Sequence, residues 1–191
     1  MLNYPLTLSF KIIAFNPQVK ITDASGNLVL YVKQKALALK EAVKVFADEQ
    51  QTQQLYAMNA NKIIDFSAQY NITRPDGSAL GAVKRQGMKS IWKASYVIVD
   101  NNGTEVGLIH EENPWMKVLE AVLSDVPFIG MFINPAYLVD VNGQTVMRLQ
   151  KQRAVFEGRF LLEKKAEFSA AQESLLMPAI IMTMMLERSR G

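Results

Sequence analysis

The chain has 191 residues, a hydrophobic fraction of 49%, and 21 lysines and arginines against 18 acids, which gives a formal net charge of +3. This composition predicts a single globular domain, residues 1–191, and excludes a disordered chain, while the nearly balanced charge argues against a nucleic-acid partner. Cysteine is absent, which excludes disulfides, thiolate metal sites and cysteine catalysis.

The N-terminal segment has the pattern of a β-strand. Apolar residues alternate with polar ones at Leu6, Leu8, Phe10 and Ile12. The segment has no basic leader, no long apolar stretch and no small-residue cleavage site, so it does not have the features of a signal peptide. We therefore expect a cytoplasmic protein.

Five segments repeat a pattern of strand, polar turn and strand. Asn-Gly and Asp-Gly pairs tolerate the positive φ angles of tight hairpins, and the flanking residues alternate with a period of two, as in residues 96–100. Many short strands with few long helices predict a β-sandwich or barrel. The predicted turns lie at Asp23–Asn27, Asp48–Thr52, Pro75–Gly77, Asp100–Gly103 and Val141–Gly143.

Two segments between the repeats do not fit the strand pattern. Lys33–Ala42, "KQKALALKEA", fits either a short helix or a loop. The longest interval contains "NPWMKVLEAVLSDVPFIGMFINP", where Asn113 is suited to cap a helix that begins at Pro114 and ends before Pro127. We expect that helix to close one end of a barrel or to cover a sheet edge.

Near the C-terminus the period changes to that of a helix. Ser169 is a suitable N-cap and Glu173 a first-turn acid, and Pro178 is expected early in the helix, where its missing N–H costs least. From Leu175 to Leu186 only Thr183 is polar. A run of about twelve apolar residues is short of the about 20 that a membrane span needs.

An apolar run without a polar face is typical of a core helix rather than a surface helix. Insertion into a partner or a membrane is the alternative interpretation, and a true span is a third. A sheet that surrounds such a helix must close around it, so the sequence predicts a closed barrel with the helix along its axis.

These motifs resemble those of the LURP-one-related family, which shares its fold with the Tubby C-terminal domain and the phospholipid scramblases. The similarity extends from about Lys20 to Arg188 and implies a mainly β (α+β) fold, a closed antiparallel Tubby-like barrel of about twelve strands around a buried hydrophobic C-terminal helix. It implies no shared activity, because the members range from poorly characterised to lipid-binding. The matching segments include "YNITRPDGSALGAVKRQ", "YVIVDNNGTEVGLIHEE" and "FEGRFLLEKKAEFSAAQESLLMPAIIMTMM".

His110 is the single histidine and precedes Glu111 and Glu112. A general base or metal ligand is one interpretation, and a polar residue at a strand end is the other. Neighbouring strand residues point to opposite faces, so the second interpretation is favoured. The sequence contains no nucleophile elbow, phosphate loop, dinucleotide fingerprint or zinc motif. We therefore expect no catalytic residues, no metal and no cofactor.

A basic cluster is the remaining candidate site, and it comprises Lys84, Arg85, Lys89 and Lys93. Lys33 and Lys151 occupy similar positions in the first and last repeats. In the Tubby relatives, basic residues on the barrel surface bind phosphoinositide headgroups, but no ordered Tubby motif matches these positions, so no site is carried over. Weak binding of anionic phospholipid is instead expected from the charge of the cluster itself. Each basic residue near an anionic membrane contributes about 1 kcal/mol. Alternatively, these residues are solvated and discourage aggregation of strand edges.

The function predicted from the sequence is a non-enzymatic binding or scaffolding module in the cytoplasm, with peripheral membrane attachment. Its expected partner is an anionic phospholipid or a protein, with no transmembrane span. The alternatives are a scramblase-like protein that uses the C-terminal helix and an unrecognised hydrolase that uses His110.

Overall fold

The computed structural model describes residues 1–11, 18–33, 43–61, 69–86, 95–113, 135–152 and 157–188. These residues form twelve strands and a C-terminal helix. Their bounds are β1 Leu6–Lys11, β2 Gln18–Thr22, β3 Leu28–Lys33, β4 Val43–Phe46, β5 Gln54–Asn61, β6 Gln69–Thr73, β7 Ala79–Arg85, β8 Ser95–Asp100, β9 Glu105–Glu111, β10 Ala136–Val141, β11 Gln144–Gln152, β12 Glu157–Lys164 and α1 Ala170–Arg188.

The strands form one closed antiparallel barrel in which each strand pairs with its neighbours in sequence and β1 pairs with β12. The register at the closure places Leu8 opposite both Phe160 of β12 and Ile21 of β2. All three side chains are buried in the core. The predicted closed barrel of twelve antiparallel strands is therefore confirmed within the described residues.

The predicted turns join consecutive strands as expected. The amide of Gly103 donates to the carbonyl of Asp100 at 3.1 Å, and Gly26 and Gly77 close equivalent turns. These glycines have φ angles of +82° to +83°, and Asn142 has φ +52°. Tight hairpin turns require residues, such as glycine and asparagine, that adopt positive φ angles with little conformational strain.

Helix α1 lies inside the barrel. Every residue from Leu175 to Leu186 is buried, with Thr183 and Ile181 fully inaccessible, so the helix has no exposed side in its central turns. The predicted core helix is confirmed. Pro178 is not near the start, however, because α1 begins at Ala170, eight residues earlier. The surrounding barrel supplies the packing that a proline within a helix needs.

A capping box begins this helix. The Ser169 hydroxyl accepts from the Gln172 amide at 3.1 Å, and the Gln172 side chain accepts from the Ser169 amide at 2.7 Å. This confirms Ser169 as the N-cap and satisfies two amides that would otherwise lack partners. Glu173 lies in the first turn, as predicted.

Alternation along the strands separates an inner from an outer face. In β8, Tyr96 and Ile98 belong to the main core around α1, whereas Val97 and Val99 pack with Ala82 in a second cluster on the other face. This confirms the period of two over residues 96–100. Of the other predictions, Ile12, residues 34–42 of the "KQKALALKEA" segment and the helix proposed after Asn113 lie outside the described residues.

The meander gives the barrel two ends that differ in what they contain. The turn end holds the five hairpin turns and the start of α1. The basic end, opposite it, holds the last residues of the odd-numbered strands, the first residues of the even-numbered ones and the end of α1.

Candidate functional site

The His110 side chain and its two acidic neighbours diverge. The His110 Nε2 atom lies 2.9 Å from Asp140 Oδ2, and Nδ1 lies 3.1 Å from the Glu111 carbonyl oxygen. Glu111 is buried, and Glu112 accepts from the guanidinium of Arg148 at 2.7 to 3.0 Å. The three side chains therefore form no common site, as the alternation of strand residues predicts.

Both ring nitrogens of His110 face acceptors. The Oδ2 atom of Asp140 lies within hydrogen-bond distance of Nε2, and the Oδ1 atom of Asp140 accepts a hydrogen bond from the Thr145 hydroxyl at 2.7 Å. A general base needs a free nitrogen directed at a substrate or a nucleophile, and neither nitrogen is free here. In the described part of the chain, no group of three or more metal-ligating side chains comes together. The arrangement is suited to tying β9, β10 and β11 together.

The predicted basic cluster divides between the two faces of β7. Arg85 faces Tyr96 across the β7–β8 pair, and its Nε atom is buried without an acceptor among the described residues. Lys84 pairs with Val97, which packs on the other face of the sheet. Lys89 and Lys93 lie outside the described residues. Lys84 and Arg85 thus do not converge on one surface.

Inside the basic end, two tyrosines fix the last turn of the helix. The hydroxyls of Tyr96 and Tyr137 donate to the Glu187 carboxylate at 2.5 and 3.3 Å. Burial, followed by the negative charge of Glu187, raises the pKa of both phenols, so they remain protonated donors in physiological conditions. This cluster is a structural tie between β8, β10 and the end of α1.

At the other end of the helix, a second carboxylate has a similar role. Glu173 accepts from the Leu2 amide at 3.0 Å and from the Tyr4 hydroxyl at 3.0 Å, and Tyr4 packs edge-on against Phe168. Burial and then the Glu173 charge raise the pKa of Tyr4, so it too remains a donor. Tyrosines therefore hold acidic residues near both ends of α1.

Charged residues are segregated along the barrel axis. At the turn end, the described residues contain four bases (Lys20, Arg74, Lys164 and Lys165) and ten acids (Asp23, Asp48, Glu49, Asp76, Asp100, Glu105, Asp140, Glu163, Glu167 and Glu173). At the basic end they contain eight bases (Lys11, Lys33, Lys44, Lys84, Arg85, Lys151, Arg159 and Arg188) and four acids (Glu111, Glu112, Glu157 and Glu187). The sign of the charge excess therefore reverses from one end to the other.

Three of the four acids at the basic end neutralise little of its outer surface. Glu111 is buried, Glu187 binds the two tyrosines inside the barrel, and Glu112 is paired with Arg148. The fourth acid, Glu157, is the cross-strand partner of Lys11. Among the described residues, the exposed charge of this end is thus positive.

Five of these bases lie on one arc of the rim, which we call the basic arc. It follows six strands that are contiguous in the barrel, from β11 through β12, β1, β2 and β3 to β4. Each of its residues is exposed to solvent. The basic arc consists of Lys151, Arg159, Lys11, Lys33 and Lys44.

Within the basic arc, two lysines face one another directly. Lys33 of β3 is the cross-strand partner of Lys44 of β4, and both are exposed. Like charges in this arrangement destabilise a sheet, so the pair is a feature that folding alone does not favour. An anionic partner would relieve the repulsion.

A cleft of about 640 Å³ opens at the turn end, beside the start of α1. Arg74 and Asp100 both line it, together with Tyr56 and the first turns of the helix. Burial raises the pKa of Tyr56, and the Glu173 charge adds to the increase. The cleft has an apolar lining, which consists of Leu55, Leu80, Val106, Val141 and Leu175.

Sequence reasoning named Lys33 and Lys151 of the basic arc but did not predict the arc as one surface, and it missed the cleft. The signal for the arc was present, because in an up-and-down meander every second connection falls at the same end. Counting charges by alternate connections would have shown the excess. No comparable signal existed for the cleft, since its residues come from five strands and a helix that only the folded register brings together.

Comparisons of the chain with protein-family models, curated proteins and solved structures gave no match. The similarity to the LURP-one-related family therefore remains a prediction that rests on the sequence motifs. In the part of the chain that the structure describes, no helix combines the length and apolar character required to cross a bilayer.

Proposed function

We propose that the protein is a non-enzymatic binding module that docks its basic end on anionic phospholipid surfaces. The observation that carries this proposal is the segregation of charge along the barrel axis. A protein with an acidic turn end and a basic opposite end has a preferred orientation in the field of an anionic membrane. Peripheral attachment at the cytoplasmic face of a membrane is part of the proposal.

The basic arc supplies the contact in this proposal. A lysine or arginine close to an anionic bilayer contributes about 1 kcal/mol. The four lysines of the arc together would contribute about 4 kcal/mol, which corresponds to a dissociation constant of about 1 mM. Such binding is weak and falls steeply with salt, because screening acts over about 8 Å at physiological ionic strength.

The buried helix supports peripheral docking over insertion. For α1 to leave the barrel, residues 175–186 would lose their packing, and Glu187 would lose the hydroxyls of Tyr96 and Tyr137. The burial of twelve consecutive residues opposes such a movement. The scramblase-like alternative therefore has less support than docking of an intact barrel.

The hydrolase alternative also has little support. It depended on His110, whose two nitrogens face Asp140 and the Glu111 carbonyl oxygen. Neither contact resembles an activated nucleophile with its base.

Vesicle co-sedimentation tests the proposal. Vesicles of phosphatidylcholine alone are compared with vesicles that contain phosphatidylserine, at low and at physiological salt. We expect binding only to the anionic vesicles, with a decline as salt increases. Absence of binding to anionic vesicles at low salt would refute membrane docking, and binding to an acidic protein surface would then be the remaining form of the module.

Matched charge reversals test the orientation. Lys33→Glu with Lys44→Glu changes the basic arc and replaces one pair of like charges by another. Lys164→Glu with Lys165→Glu changes the net charge equally at the turn end. We expect the first pair to abolish vesicle binding and the second to preserve most of it. Equal loss in both would show that net charge, and not the basic end, determines binding.

A further inference from the structure

The cleft at the turn end contains two opposite charges that do not neutralise one another. Arg74 uses Nη1 to donate to the Ser78 hydroxyl at 3.2 Å and to the Ala79 carbonyl at 3.3 Å. The Oδ1 atom of Asp100 accepts two hydrogen bonds, from the turn amides of Asn102 and Thr104, at 2.9 Å each. Within the described residues, Nη2 of Arg74 and Oδ2 of Asp100 thus remain available to a ligand.

The spacing of these charges is set by the sheet. Arg74 follows β6 and Asp100 ends β8, and the two strands flank β7. Neighbouring strands lie about 4.8 Å apart, so β6 and β8 are about 10 Å apart across β7. The register adds an offset along β7, because Arg74 lies opposite Ser78 and Asp100 opposite Gly81, so the two backbones are separated by about 14 Å. An extended peptide spans about 3.3 to 3.6 Å per residue, so three residues bridge this distance once the two side chains reach into the cleft.

The rest of the lining matches the body of such a molecule. Five aliphatic side chains provide an apolar surface, and the volume of about 640 Å³ lies within the usual range for small-molecule sites. Side-chain amides can donate to and accept from peptide groups. These amides belong to Gln53, Gln54, Asn142 and Gln172.

We infer that the cleft binds a short apolar peptide with free termini, about three residues long. Its carboxylate binds Arg74, its ammonium group binds Asp100, and its side chains lie on the aliphatic lining. This site is independent of the proposed membrane contact, because it lies at the opposite end of the barrel.

Isothermal titration calorimetry with trileucine tests the inference. The comparison ligands are N-acetyl-trileucine, trileucine amide and octanoate, an anionic amphiphile without an ammonium group. We expect trileucine to bind, and each blocked form to bind at least about tenfold more weakly, since each loses a hydrogen bond between two charged groups. Octanoate should bind more weakly than trileucine.

Variants assign each terminus to its partner. Arg74→Gln should weaken trileucine binding about tenfold and make it insensitive to amidation, whereas Asp100→Asn should make it insensitive to N-acetylation. Asparagine retains the acceptor oxygen for the turn amides. A merely structural role of either residue would weaken all ligands equally.

A third variant fills the cleft without altering the core. Ala171 is exposed and lines the cleft, so Ala171→Trp should abolish peptide binding and leave vesicle binding unchanged. The inference is overturned if trileucine does not bind at millimolar concentration, if the blocked peptides bind as well as the free one, or if octanoate binds best. None of these outcomes bears on membrane docking.

Discussion

Thr183 places a hydroxyl group in the centre of the barrel. Its side chain is fully inaccessible to solvent, and its Oγ1 atom has no hydrogen-bond partner among the described residues. A threonine in a helix commonly donates to the carbonyl four residues earlier, and that bond is absent here. Replacing the hydroxyl by a methyl group of similar size should therefore stabilise the protein.

The expected gain follows from the cost of an unsatisfied buried group. That cost is about 1–3 kcal/mol, and threonine and valine have similar helix propensities. We expect Thr183→Val to increase the free energy of unfolding by about 1–2 kcal/mol. For a domain of this size, that corresponds to an increase in Tm of about 2–8 °C.

Equilibrium urea unfolding, followed by far-UV circular dichroism, measures the change. Thr145→Val is the matched control, because the Thr145 hydroxyl donates to Asp140 at 2.7 Å on the outer face. The control should lose about 1 kcal/mol. If Thr183→Val leaves the midpoint unchanged or lowers it, the hydroxyl has a partner and the reasoning about the barrel interior is wrong.

Three further substitutions test other features. In Gly81→Ala the new Cβ would lie 2.3 Å from the carbonyl oxygen of Val99, so unfolding free energy should fall by at least about 2 kcal/mol; an unchanged urea midpoint would contradict this packing. Met182→Asp would bury an unpaired carboxylate at a cost of several kcal/mol and should abolish the folded circular dichroism spectrum, whereas a folded variant would contradict the central position of the helix. Hydrogen bonds from Arg148, and then its charge, lower the pKa of Glu112, so this pair stabilises the fold above the ordinary pKa of 4.5 and the contribution is lost as pH falls through the lowered value. The two side chains are 24% and 37% exposed, so solvent screens the pair in part, and Arg148→Gln should cost about 0.5 kcal/mol at pH 7 and less in strong acid, as urea titrations across pH would show.

The architecture could be predicted because its signals are local. Turn residues with low cost at positive φ recur at regular spacing, and the apolar run after Ser169 has no polar face. Together they require a closed sheet around a helix. The position of Pro178 was mispredicted because it was judged from the apolar run, which begins at Leu175, and not from the predicted N-cap Ser169, after which the helix begins at Ala170.

The sites were harder to predict because they depend on register. His110 binds Asp140, which lies 30 residues later, and adjacent strand positions separated Lys84 from Arg85. The sequence shows which residues are charged, but the face of each one depends on strand boundaries that are uncertain by a residue or more. A shift of one residue exchanges the two faces completely.

The chain order of the barrel has a consequence for its biosynthesis. All twelve of the described strands precede α1, so a ribosome produces them before it produces the helix that fills the barrel. Until then the inward-facing side chains of the nascent chain have nothing to pack against, and the β1–β12 seam cannot close around a finished core. We expect nascent chains to need chaperone protection until the helix emerges. Chains whose synthesis stops after β12 and before α1 should aggregate rather than retain partial activity.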